Sequence, residues 1–212
     1  MLLDFFFPRH SLTGREGDWT TQDELSAISS APRIFSRQEL CSRGITSLDR
    51  VFAMGSYRSS PLLRKAIHTL KYKRVPALTD CLGKVLTEVL QREFVLSPEA
   101  LFCPVPLHVL RRFSRGFNQA ELIAQYLEEA TALPMRPLLC RVRSTGHQAW
   151  RDRSSRLQAM NGAFRVRRGS RIPKHVYLVD DVFTTGATLG ECANTLKMFG
   201  VECVEAIVLA YD

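Results

Sequence analysis

Two adjacent carboxylates, Asp180 and Asp181, follow four apolar residues, Val176 to Val179, and precede a small, hydroxyl-rich run, Thr184 to Thr188. An ionised carboxylate only accepts hydrogen bonds, so the pair suits a ligand with several hydroxyls, or one that carries a divalent cation. Ribose with Mg²⁺ meets both descriptions. The loop Thr184, Thr185, Gly186, Ala187, Thr188 leads into a helix whose apolar face is Leu189, Cys192, Ala193 and Leu196. Exposed N–H groups at that helix start, with three threonine hydroxyls, form a cradle for a phosphate. An ordinary strand-turn-helix needs one capping hydroxyl and no acid pair. Neither G-x-x-x-x-G-K-[ST] nor G-x-G-x-x-G occurs, which removes the main support for ATPase and dehydrogenase chemistry.

A second group is cationic. Between Pro106 and Arg115 the chain carries Leu107, His108, Arg111, Arg112 and Arg115, between an apolar run and a helix. Arginine donates bidentately and stays charged, so this loop reads as a pyrophosphate site or, in the plainer alternative, a solvated basic turn. From Arg141 to Lys174 ten basic residues face a single acid, Asp152, a third of the chain's 29 basic residues in one segment. Three readings stand for it: a lid over the ligand, a nucleic-acid contact, or a solvated face. Its candidate contact residues are Arg143, Gln148, Arg151 and Arg156. His147 reads as a surface histidine, and a lone Trp150 beside arginines is thin support for base stacking. Lys71 and Tyr72, on a helix, read as surface and packing.

The elements that position these groups alternate. Val51 to Tyr57 reads as a strand, and Pro61 to Lys71 as a helix with Leu63, Ile67 and Leu70 at helical spacing and proline near its start. Leu78 to Arg92 is a second helix, Ala100 to Val105 a strand, and Asn118 to Glu129 an amphipathic helix. Pro137 to Val142, His175 to Val179 and Val204 to Ala210 read as strands, with a helix from Thr188 to Phe199 before the last. Such alternation implies an α/β fold, a mostly parallel sheet covered by helices. Acids at the carboxyl end of a buried strand then lie where open α/β sheets bind ligands.

Ser11 to about Arg50 is polar and without a sustained period, and reads as an irregular arm outside the core with at most short helices. The domain reading is therefore an arm over 1–50 and one α/β domain over 51–212, in keeping with 212 residues at about 150 per domain. Its 45% apolar and 24% charged residues exclude wholesale disorder and fibrous classes. No apolar run reaches membrane-span length, and Met1 to Phe7 lacks a basic n-region, so the expected location is the cytosol. Six cysteines without a C-x-x-C pair predict reduced, mostly buried thiols. The net charge of +8 favours phosphorylated partners.

Val176 to Thr188 resembles the phosphoribosyl pyrophosphate (PRPP) motif of type I phosphoribosyltransferases. The resemblance implies that Asp180 and Asp181 hold the ribose hydroxyls, that Thr184 to Thr188 hold the 5′-phosphate, and that Mg²⁺ arrives with PRPP. Within that superfamily the chain is similar to ComF-like competence proteins, through Arg115-Gly116-Phe117-Asn118-Gln119-Ala120 preceded by Pro104-Val105-Pro106-Leu107. The likeness extends to Tyr57, Ile67, Lys71 and Tyr72, and to Thr145, Gln148, Arg156, Ala163 and Phe164. Similar proteins often open with a cysteine zinc finger, whose places here are Ser11 and Gly14, with Cys41 followed by Gly44. One thiolate cannot build a tetrahedral zinc site, so no structural zinc is expected. The resemblance implies transfer of phosphoribose to an acceptor, with pyrophosphate released; the ten cations between Arg141 and Lys174 support the alternative, a non-catalytic sensor of PRPP or a related phosphoribosyl ligand. In the second case the partners are single-stranded DNA or a competence helicase.

Overall fold

The computed structural model describes residues 11–15, 20–28, 31–72, 77–107, 113, 116–143 and 162–212, and among these described residues seven strands and six helices follow one another along the chain. In chain order they are α1 (Gln22–Ile28), β1 (Arg33–Phe35), α2 (Arg37–Ser42), β2 (Arg50–Ser56), α3 (Pro61–Tyr72), α4 (Ala77–Glu93), β3 (Leu101–Pro104) and α5 (Gln119–Thr131). There follow β4 (Leu139–Arg141), β5 (Phe164–Val166), β6 (His175–Phe183), α6 (Ala187–Met198) and β7 (Cys203–Tyr211). Five strands form one sheet in the order β1-β2-β7-β6-β3. Only β1 is antiparallel, and β4 pairs with β5 in a separate antiparallel ribbon.

The sheet is the mixed, mostly parallel α/β architecture that the alternation predicts. Side chains of successive residues leave a strand on opposite faces. In β6, Tyr177 and Val179 therefore join one core, with Phe52, Leu63, Leu82, Ile123 and Leu127. Val176 and Leu178 join the other, with Phe35, Val51, Leu189, Ala193 and Leu196. Helices α3, α4 and α5 thus cover one face and α6 covers the other. Each fully buried aliphatic side chain contributes roughly 1.5–3 kcal/mol.

Helix ends follow local chemistry. Pro61 opens α3, where a missing N–H costs nothing, and the Ser60 hydroxyl accepts from Leu63 N at 3.2 Å. Asn118 caps α5, its Oδ1 accepting from Ala120 N at 3.2 Å while its Nδ2 donates to the Val105 carbonyl at 3.0 Å.

The stretch before Arg50 departs from its reading as peripheral. It holds two short helices, as allowed, but β1 extends the main sheet, and Ile28, Phe35, Leu40, Ile45 and Leu48 are buried in the cores. Near Ser11 and Gly14 the ordering centre is a carboxylate. Buried Glu24 accepts from the Ser11 hydroxyl at 3.0 Å, Thr13 N at 2.6 Å and Thr21 N at 2.8 Å. Burial works against its ionisation, and these donors outweigh burial, holding its pKa below the ordinary value. All six cysteines are unpaired, but only Cys103 and Cys192 are fully buried and Cys41 is exposed.

Candidate functional site

The acids sit where the two faces of the sheet part company. β3 and β6 are parallel neighbours, yet the chain leaves β3 for α5 on one face and leaves β6 for α6 on the other. That divergence opens a crevice at the carboxyl ends of the two strands, the usual ligand position in open α/β sheets. β3 pairs with β6 only as far as Pro104 opposite Val179, with Val105 N donating to the Val179 carbonyl at 2.9 Å. β6 runs on to Phe183, so Asp180 and Asp181 lie within the strand rather than after it. They flank β7 on one side, and β3 no longer covers the other.

The two carboxylates have different surroundings. Asp180 Oδ1 accepts from the Asp181 N–H at 2.8 Å. Burial, then the charge of Asp181, push the Asp180 pKa up to about 7, against the opposing pull of that hydrogen bond, Lys71 and Arg141. Asp181 turns toward α3 and pairs with Lys71 Nζ at 2.9 Å, with both side chains largely buried. Lys71 therefore belongs to the site, which corrects its reading as a surface residue. An amphipathic helix places a lysine near its carboxyl end for many reasons, and the partner lies 110 positions along the chain.

The following loop has the expected form. Gly186 takes φ 77°, and a Cβ there would collide with Ile45 and Phe183, so both backbone and space demand glycine. No side chain caps α6 at this glycine, although Thr185 Oγ1 accepts from Ala187 N at 3.4 Å. Thr184 is exposed, Thr185 and Thr188 half-buried, and Gly186 and Ala187 buried. The uncapped N–H groups and the hydroxyls occupy one end of the crevice, which suits an anion.

In the loop after β3, Leu107 is half-buried and Gly116 adopts φ 83°. His108, Arg111, Arg112 and Arg115 lie outside the described residues. The same holds for His147, Gln148, Trp150, Arg151 and Arg156 of the basic segment. Arg143 is exposed just past β4. Val142 N donates to the Ala163 carbonyl at 2.8 Å, and Gly162 N to Glu191 Oε1 of α6 at 2.7 Å, so the segment starts and returns beside the crevice. Between β3, α5 and the β4–β5 ribbon lies a cavity of about 580 Å³.

At the opposite end of the sheet, His175, Cys203 and Glu205 bring donor atoms within 4.8 Å of one another. Glu205 is already engaged by Arg50 and by His175 Nε2 at 2.9 Å. Burial pushes the Cys203 thiol up to about 11, against the thiolate a metal needs. The group reads as an internal ionic cluster.

No family model matches the chain. It is 38% identical over 116 residues to competence protein F of Haemophilus influenzae, covering 53% of this chain and 50% of that protein. To the DNA utilization protein YhgH of Salmonella typhimurium it is 31% identical over 163 residues, 74% of this chain and 69% of that one. The chain thus spans half the length of the first relative and about two thirds of the second. A solved Bacillus subtilis glutamine PRPP amidotransferase, complexed with ADP and GMP, matches 62% of this chain and 26% of its own at 20% identity and TM-score 0.42. Among the described residues no helix is long and apolar enough to cross a membrane.

Proposed function

Because the chain belongs to the family of competence protein F and the DNA utilization protein YhgH, we propose that it is a competence-associated, phosphoribosyltransferase-like protein that binds PRPP in the crevice after β6. The observation that carries this reading is the acid pair on a strand edge its neighbour leaves bare, followed by an uncapped helix start behind a glycine that nothing larger can replace. Asp180 and Asp181 accept from the ribose hydroxyls, and the N–H groups and hydroxyls of Thr184 to Thr188 take the 5′-phosphate. Lys71 holds Asp181 oriented before the ligand arrives.

An all-oxygen donor pair fits a magnesium ion brought in with the ligand. Magnesium would supply neutralisation of the pyrophosphate charge. In the transferase form of this reading, the acceptor's lone pair bonds to C1′ as the C1′–O bond breaks. Pyrophosphate leaves with the electron pair, and the acceptor's proton goes to solvent. Positive charge building on the sugar is met by the carboxylates, the kind of preorganised electrostatics that contributes most in such sites.

Calorimetric titration with PRPP, with and without Mg²⁺ and with ribose 5-phosphate as control, tests the assignment. Asp180→Asn with Asp181→Asn is expected to abolish Mg²⁺-dependent binding while the fold remains. Unchanged affinity in the double variant would refute the site.

The basic segment favours a second reading, a non-catalytic sensor that contacts single-stranded DNA or a helicase partner. Arg143, Arg165, Arg167, Arg168, Arg171 and Lys174 are exposed on or beside the ribbon. Affinity for single-stranded DNA would then fall steeply as salt rises, and a salt-insensitive affinity would count against it.

A further inference from the structure

The ion pair beside the crevice joins two elements whose positions are set separately. Leu63, Ile67 and Leu70 fix α3 against the sheet, and Lys71 follows in the last turn, where a helix's unpaired carbonyls favour a cation. Tyr177 and Val179 face the same core, so alternation along β6 brings Asp181 to the α3 side of the sheet. There Lys71 Nζ lies 2.9 Å from Asp181 Oδ2, with the two side chains only 22% and 14% exposed. The charge of Lys71 also acts on Asp180.

A cation is thus already seated on a carboxylate that the ligand's metal would approach. Bare Mg²⁺ sheds water reluctantly. To reach Asp181 it would also come up against an ammonium in a poorly hydrated place, where like charges repel more strongly than in bulk water. A magnesium ion that travels on a polyphosphate arrives differently. Such a complex carries net negative charge, so the ammonium attracts it, and phosphate oxygens can accept from the ammonium's three donors once Asp181 is given up. A fully exposed lysine would discriminate far less, because solvent and salt screen it.

We propose that Lys71 is a specificity-determining residue, which holds bare divalent cations off Asp181 and admits the metal only as its complex with a polyphosphate ligand. Admission of the complex rests on the phosphoribosyl reading of the crevice, whereas exclusion of the bare ion rests on the ion pair alone.

Electron paramagnetic resonance of free Mn²⁺, titrated into the full chain without ligand, tests the exclusion. The parent is expected to take up no Mn²⁺ at a single site below millimolar concentration. Lys71→Met keeps the length of the side chain, and Lys71→Gln keeps a donor for Asp181 so that only the charge is lost. Both are expected to bind one Mn²⁺ about tenfold or more tightly than the parent. Lys71→Arg, which retains the charge, is expected to exclude the ion, and Asp181→Asn on the Lys71→Gln background to abolish the gained site. Thermal melts check that each variant is folded, and a general loosening of the crevice would not depend on Asp181. Tight uptake by the parent, no gain in the folded variants, or a gain that persists in Lys71→Arg or without Asp181 overturns the proposal. PRPP with Mn²⁺ is titrated in parallel. If the variants gain the ion and PRPP does not bind the parent, the exclusion stands and the phosphoribosyl reading is overturned. If PRPP binds and the parent also takes up the bare ion, the exclusion alone is lost.

Discussion

Asp180 and Asp181 share a peptide bond but not an environment. Asp181 has Lys71 at 2.9 Å, whereas Asp180 is pushed to about 7 by burial and by Asp181 itself. The raised value makes the folded protein bind more protons than the unfolded chain between about pH 4 and 7, so Asp180 lowers stability as pH rises through that window. Asp180→Asn keeps the oxygen that accepts from the Asp181 N–H and removes the buried charge. We expect the variant to melt roughly 5 °C above the parent at pH 8 and level with it near pH 4, as thermal melts at the two pH values would record. A gap independent of pH would show that the carboxyl is not strained by its charge. Binding sites that store such strain give up stability for function. The acid pair was legible in the sequence because type and spacing suffice to mark it. Lys71 was not, because an ion pair closed by tertiary packing leaves no local signature.

Helices α4 and α5 meet at Gly83, where an added Cβ would come within 2.6 Å of the Tyr126 ring. Gly83→Val should cost about 1–3 kcal/mol, read from the denaturation midpoint, because the helices would have to part around the new side chain. An unchanged midpoint would mean that Tyr126 swings aside freely. The long helices and the strands of the parallel sheet were readable because each repeats its apolar pattern over several turns or a full buried run. β1, three residues long, carries too little pattern to be recognised, and its place in the sheet depends on Phe35 packing against Phe183 and Tyr211. α2 did leave a mark: Ser36-Arg37-Gln38-Glu39 is a capping box, with Glu39 N donating to Ser36 Oγ at 3.3 Å and Ser36 N to Glu39 Oε2 at 2.9 Å. A reading that searched for helix starts before apolar periods would have found it.

Across the whole molecule, opposite ends of the sheet carry opposite electrostatic habits. At the carboxyl end a raised Asp180 penalises high pH. At the amino end, burial opposes ionisation of Glu205, but the hydrogen bonds from His175 and Arg50 prevail and hold its carboxyl below the usual range. Stability from that depressed group is present at neutral pH and lost as pH falls through its folded value. Glu205 ties the starts of β2, β6 and β7 together. Glu205→Ala, which leaves Arg50 and His175 without their partner, should destabilise the protein by about 3 kcal/mol in equilibrium denaturation, and a loss near zero would mean that solvent replaces the carboxylate. The arm belongs to this larger unit through Ile28, Phe35 and Ile45, a tertiary fact that polar composition concealed. The β4–β5 ribbon has a different implication. Because Arg141 pairs with Phe164 and the hydrogen bond from Val142 N to the Ala163 carbonyl extends the ribbon beyond them, two points of the chain twenty-odd residues apart in sequence are held side by side. Doubling the length of a loop closed in this way costs only about 0.6 kcal/mol. The ribbon is thus a fixed doorframe, and a change in the length of chain between its two strands is expected to leave the stability of the scaffold nearly unchanged.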